Sequence, residues 1–256
     1  MDELTRLNKE EFEQIVSKYK FQMQLMAKDY YITVLLFLLK DVEGIYFKGG
    51  TAINKILLNH ARLSEDIDYT LTRKIEDIKK EITVIIKNSK HFNGITKDKD
   101  VSLFTRLIVH YDTELGKGTI FINLNKRSKL LTKSESLKIN HFYPNIPEFS
   151  MNCLSKEEMI AEKIKATIQR NKPRDHFDVY MLIKQGHNFN IELVKQKCKL
   201  ANVEYDIIKM FNQAKKLNKR WNEDMIPLLS IDVSFEEVMK MLAKYFKLKN
   251  AKNEKK

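Results

Sequence analysis

Residues 44–72 read GIYFKGGTAINKILLNHARLSEDIDYTLT, and no other stretch constrains the fold as strongly. GIYFK is a short β-type run that stops at Gly49-Gly50. TAINKILLNHAR (51–62) has helical spacing, with Ile53, Ile56, Leu57 and His60 toward one side. EDIDYTLT (65–72) alternates with period two, as a strand does. A helix that starts just after a glycine pair offers free backbone N–H groups, and glycine lets an anion approach the main chain closely. Asp66 and Asp68, at i and i+2 on a strand, point to the same face. Two ionised carboxylates held together repel unless cations sit between them. Hard divalent cations take such oxygen ligands and fill the remaining positions with phosphate and water. A glycine turn alone could be a simple helix cap. With the aspartate pair it supplies the parts for metal-assisted phosphoryl or nucleotidyl transfer.

Only seven of the 256 residues are glycine, and the net charge of +12 favours a polyanionic partner, although generic solvated lysine also fits segments such as KNSK and KDKD. Cys153 and Cys198 have neither disulfide nor metal-ligand spacing, which predicts a cytoplasmic protein. The six histidines are scattered. ITVLLFLL (32–39) is too short to span a bilayer and predicts a buried helix, so no membrane partner is expected.

Residues 8–40 read as helix, with Phe12, Ile15, Val16 and Tyr19 at helical spacing. IEDIKKEITVIIKNS is an amphipathic helix, and 102–113 with 118–127 forms a hairpin. Pro144 and Pro147 close the β-containing part, and the pattern beyond them is helical to about Leu248. The expected organisation is an α/β lobe over 1–150, a helical lobe over 151–248 and a disordered tail over 249–256.

FKGGTAINKILLNHARLSEDID resembles the first motif of the DNA-polymerase-β-like nucleotidyltransferases, and in particular the AbiEii toxin family of abortive-infection and toxin–antitoxin systems. The resemblance extends upstream to KDYYITVLL (28–36) and downstream to SKEEMIAEKIKATIQRNKPRDHFDVYML (155–182). It implies an α+β fold: a polymerase-β-like lobe with a small mixed sheet and flanking helices, plus a C-terminal helical bundle. By the same resemblance a cognate antitoxin is expected as partner.

The downstream segment can also be read from its residues. Met159, Ile160, Ile164, Thr167 and Ile168 make an apolar stripe with Lys163 inside it, whereas Lys165 falls on the opposite side. An inward lysine needs a partner, either a phosphate or a buried ion pair with Asp175 or Asp178. Pro173 suits the first turn of the next helix, where Asp175 would also favour the helix dipole. Asp178 sits in a helix that is apolar nearly all round, so it is expected to be paired or functional. In the resembling family the lysine matching Lys163 and the segment matching Arg174, Asp175 and Asp178 complete the active-site cleft. The resemblance departs at FINLNKR. Related enzymes often carry a third carboxylate there, and this chain has Asn123 and Asn125.

Together these readings predict an enzyme that takes an NTP, with phosphates at Lys48, Gly49, Gly50 and Thr51 and with Ser64 touching a phosphate or orienting the aspartate strand. Asp66 and Asp68 would hold Mg²⁺ or Mn²⁺, and Lys163 would neutralise developing charge. The expected acceptor is RNA, most concretely a tRNA 3′ end, with growth arrest as the outcome. Nucleotidylation of a protein hydroxyl and an inactive RNA-binding member of the fold are the alternatives. KQKCKLANVEYDIIKMFNQAKKLNKRW (195–221) reads as basic helix for RNA, or as a solvated face with Trp221 as a core plug. Lys28-Asp29 matches a family position or forms a surface ion pair.

Overall fold

The computed structural model describes residues 4–127, 129–170 and 172–248, so the expected tail over 249–256 lies outside the described residues. The chain is mixed α/β and divides into two compact units, Met1–Ser155 and Lys156–Lys256.

In the first unit, α1 (Lys9–Tyr19) opens with a capping box. The Asn8 side chain accepts from the Glu11 N–H, and the Glu11 carboxylate returns to the Asn8 N–H. The expected single helix over 8–40 is broken. Lys20 is left-handed at φ 59° and its N–H bonds to the Val16 carbonyl, which ends α1 so that Phe21 can turn into the core. The second helix, α2 (Met23–Leu39), is buried nearly all round from Asp29 onward, as the mostly apolar run that follows it requires. Next come β1 (Ile45–Lys48), α3 (Gly49–Ile56), β2 (Asp66–Leu71) and the amphipathic α4 (Ile75–Lys87). The third helix stops well short of the expected end at 62, because Asn59 and His60 adopt positive φ and the His60 N–H reaches back to the Asn54 carbonyl.

Five strands complete the sheet: β3 (Gly94–Val101), β4 (Phe104–Thr113), β5 (Gly116–Asn125), β6 (Glu135–Lys138) and β7 (Ser150–Cys153). The expected hairpin is β4–β5. The prolines do not end the β part, since β7 comes after them and pairs in parallel with β1. The seven strands form one mixed sheet in the order β3-β4-β5-β2-β1-β7-β6. The central strands β1, β2 and β5 carry the buried apolar residues, including Phe47, Ile67, Tyr69, Ile122 and Leu124. In this register Asp68 lies opposite Lys48 on one side and Asn123 on the other, and Asn123 lies opposite Arg106 of β4.

The second unit is helical: α5 (Lys156–Arg170), α6 (Pro173–Lys184), α7 (Ile191–Leu200), α8 (Ala214–Asp224) and α9 (Phe235–Tyr245). Helix α5 packs on α6 and α7, and α6 packs on α8 and α9. The basic stretch 195–221 is not one helix. It breaks after Leu200 into a turn and a short 3-10 segment, Ile207–Phe211. Lys197 is buried against Glu158 and Glu162 and is not solvated. Trp221 is the core plug of this unit, with its indole N–H donating to the Val233 carbonyl at 3.1 Å. Among the described residues no helix is long and apolar enough to cross a membrane.

Candidate active site

The strand β1 delivers the chain extended at Lys48 (φ −155°, ψ −168°) into Gly49 at φ +84°, and α3 begins there. Glycine is required at 49 for two reasons. The backbone is left-handed, and a Cβ would stand 2.3 Å from Oδ2 of Asp68. The Asp68 carboxylate therefore lies against the start of α3, whose first N–H groups have no intrahelical partner. Thr51, buried, donates its hydroxyl to the Asp66 carbonyl and so ties the helix start to the aspartate strand. What Thr51 can offer a phosphate is its backbone N–H.

A second brace joins the glycine turn to the loop before β2. Asn54 donates to the Gly50 carbonyl at 3.0 Å and accepts from the Arg62 N–H at 3.2 Å. The buried Arg62 guanidinium donates to the Leu63 carbonyl at 2.9 Å and to the Ser64 hydroxyl at 3.1 Å. Ser64 thus stands beside a cation as well as two residues ahead of Asp66. Asn54 and Arg62 were given no role by sequence reasoning, although the arginine lies inside the RLSEDID run that drew attention to the aspartates.

Beneath the glycine helix lies a buried ion pair. The Lys55 ammonium is 2.8 Å from Oδ1 of Asp29 and 3.0 Å from the Thr33 hydroxyl. The Tyr143 hydroxyl donates to Oδ2 of Asp29 at 3.0 Å. Asp29 is therefore not half of a surface pair, as one reading of the sequence had it. It lies in the core and fixes α3 on α2. Burial pushes its carboxyl up, but Lys55, His60 and Tyr143 outweigh burial and hold it below the ordinary carboxylate value. The sequence held part of the signal, an acid at the start of a long apolar stretch, but Lys28 beside it kept a surface pair open.

Asp66 and Asp68 are both half-buried. Asn123 donates its amide to Oδ1 of Asp68 at 3.0 Å, and the Arg106 Nε donates to the Asn123 amide oxygen at 2.8 Å. The position of a third acid is thus filled by an amide held by a guanidinium. Among the described residues no group of three or more His, Cys, Asp or Glu side chains surrounds one point. Two half-exposed carboxylates on one strand face still fit Mg²⁺ or Mn²⁺, because such ions bind through one or two protein carboxylates and complete their shell with phosphates and water.

In the helical unit, α5 and α6 bring together four of the charged residues. The Lys163 ammonium is 3.0 Å from Oδ1 of Asp175 and 2.8 Å from Oδ2 of Asp178. Arg170 grips Asp175 with two bonds, Nε to Oδ2 at 2.7 Å and Nη2 to Oδ1 at 2.9 Å. Lys163 is only 5% exposed and both aspartates are buried, so the inward lysine does have ion-pair partners. Burial pushes the Asp175 carboxyl up, but Lys163 and Arg170 hold it well below the usual range. Arg174 is half-buried beside this cluster in sequence, and the Arg170 side chain is half-exposed. Arg170 was missed because its own position looks like a solvated helix end.

A family model described as the nucleotidyl transferase AbiEii toxin of type IV toxin–antitoxin systems matches residues 37–241. The chain belongs to this family. The match spans the glycine turn, Asp66 and Asp68, and also Lys163, Asp175 and Asp178 of the helical unit. This AbiEii chain is therefore a nucleotidyltransferase of the toxin–antitoxin class. No curated protein sequence matches it. Its fold is shared with solved structures of low identity. JHP933 from Helicobacter pylori is 20% identical, covers 92% of this chain and 96% of its own, and has a TM-score of 0.61. A second structure from H. pylori, described as a nucleotidyltransferase, is 21% identical over 92% of this chain and 98% of its own, with a TM-score of 0.61. The nucleotidyltransferase toxin MenT4 of Mycobacterium tuberculosis is 19% identical, covers 94% of this chain and 89% of its own, and has a TM-score of 0.67.

Proposed function

We propose that this AbiEii protein transfers nucleotides from an NTP to RNA, with a tRNA 3′ end as the acceptor and growth arrest as the result. The observation that carries the reading is the seating of the Asp68 carboxylate against Gly49, with Asp66 on the same strand face. The N–H groups at the start of α3 bind the triphosphate, with Lys48 as a local cation. Ser64, held by Arg62, orients the loop ahead of the aspartate strand. Asp66 and Asp68 would hold a divalent cation, Mg²⁺ or Mn²⁺. When bound, it supplies charge neutralisation at the phosphates and lowers the barrier to in-line attack on the α-phosphorus. Lys163, Asp175, Asp178 and Arg174 are the residues we assign to the reaction from the helical unit. Lys163 is committed to Asp175 and Asp178, and Arg170 is committed to Asp175. The net charge of +12 supports a polyanionic acceptor, and the family supports an antitoxin partner in the cytoplasm.

The test is incubation with each α-labelled NTP, Mg²⁺ and total RNA. Labelled RNA that disappears with Asp66→Ala is the expected result. Label on protein alone favours transfer to a protein hydroxyl. RNA binding without label from any NTP contradicts the assigned reaction.

A further inference from the structure

Three adjacent strands place Asp68, Asn123 and Arg106 in one row across the sheet. The chemistry of the two outer groups fixes the middle one. Arginine can only donate hydrogen bonds, and an ionised carboxylate can only accept them. The Asn123 amide must therefore turn its oxygen to Arg106 and its NH₂ to Asp68, as the contacts of 2.8 and 3.0 Å show. Arg106 is itself held, with its guanidinium 5.2 Å from the centre of the Phe121 ring and Nη1 3.6 Å from Asp98. Asn123 is buried. Its amide oxygen is engaged away from Asp68, so this side chain is suited to donate to the carboxylate. It is not suited to ligate a cation as a weak third ligand. One Asp68 oxygen is tied back, and the other, Oδ2, is the atom that faces Gly49.

We propose that Arg106 and Asn123 are positioning residues: a donor relay that holds Asp68 in one orientation and presents Oδ2 to the divalent cation. Residues that orient a metal ligand commonly govern affinity tenfold or more when they are removed. The proposal rests on Asp66 and Asp68 being the cation ligands, and the experiment separates the two claims.

Mn²⁺ binding is measured by electron paramagnetic resonance on purified wild-type protein and on Asp68→Asn, Asn123→Ala, Arg106→Met and the Asn123→Ala/Arg106→Met double variant. Thermal melts verify that each is folded. Asp68→Asn is expected to abolish binding. Asn123→Ala is expected to weaken it about tenfold, and Arg106→Met is expected to weaken it several-fold. The double variant is expected to bind like Asn123→Ala alone, because Arg106 acts only through the amide. If Asp68→Asn abolishes binding but the two other losses multiply, or are absent, the relay is overturned and the metal assignment stands. If wild type binds no Mn²⁺, or Asp68→Asn binds it unchanged, the metal assignment fails and the relay fails with it.

Discussion

Lys55→Met deletes an ammonium from the core while nearly keeping the side chain's volume. In the native protein that ammonium is 2.8 Å from Oδ1 and 3.0 Å from Oδ2 of Asp29, and both residues are buried. Removing one partner of a buried pair costs about 3–5 kcal/mol, because the other charge is left without compensation. For a folding unit of this size each kcal/mol lowers Tm by roughly 2–4 °C, so a fall of roughly 6–20 °C is expected. The pH dependence comes from the sign of the shift. In wild type, Asp29 is held below its ordinary value, so its contribution is present above the unfolded pKa and is lost as pH falls through the folded one. Without Lys55, burial dominates and the folded pKa rises above the unfolded one. Stability is then retained at low pH and lost as pH rises. The deficit of Lys55→Met should thus be larger at pH 8 than at pH 5. In the Asp29→Asn/Lys55→Met double variant, the neutral amide at position 29 still accepts from Tyr143, and most of the lost stability should return. Melting curves at the two pH values decide it. A single variant that melts within about 2 °C of wild type, or one whose deficit is greater at pH 5, would refute the argument.

Gly49 and His60 each carry a further prediction. Gly49→Ala strains a left-handed position by about 1–2 kcal/mol and drives its methyl into Asp68. Nucleotidyl transfer should fall about 100-fold in a protein that circular dichroism shows to be folded. Burial and the Lys55 charge depress the His60 imidazole to about 4 from 6.5, while its Nε2 bonds to the Asn140 carbonyl at 2.9 Å. A depressed pKa contributes stability above the unfolded value that is lost as pH falls through the folded one. Wild type should lose roughly 3 kcal/mol more than His60→Gln between pH 7 and pH 4 in urea unfolding.

The central elements of the sheet were legible because their patterns are local. The run of β1, the alternation of β2 and the hairpin of β4 and β5 come from residue period alone. The strands β3 and β6 were not legible. They are short or heavily charged and owe their conformation to pairing with a neighbour, which no local pattern encodes. The break at Lys20 carried no glycine or proline to announce it. At the candidate site, Gly49, Asp66 and Asp68 were legible because a glycine turn between strand and helix and an i, i+2 acid pair on the next strand are both local patterns. Arg62 and Arg106 were not, because an arginine on the surface and an arginine bonded to Ser64 or Asn123 look alike in sequence. Asp29 is the instructive case. It precedes a long apolar stretch of α2 but follows Lys28, so a surface pair and a buried partner were both open, and only the fold shows that the partner is Lys55.

The most direct test is the single-turnover rate of α-phosphate label transfer from NTP in wild type, Asp66→Asn and Asp68→Asn, with melting temperatures recorded beside each rate. Loss of transfer by about three orders of magnitude or more in both variants, with melting temperatures near wild type, is what the two-carboxylate site predicts. Transfer retained within about tenfold in either folded variant would contradict it.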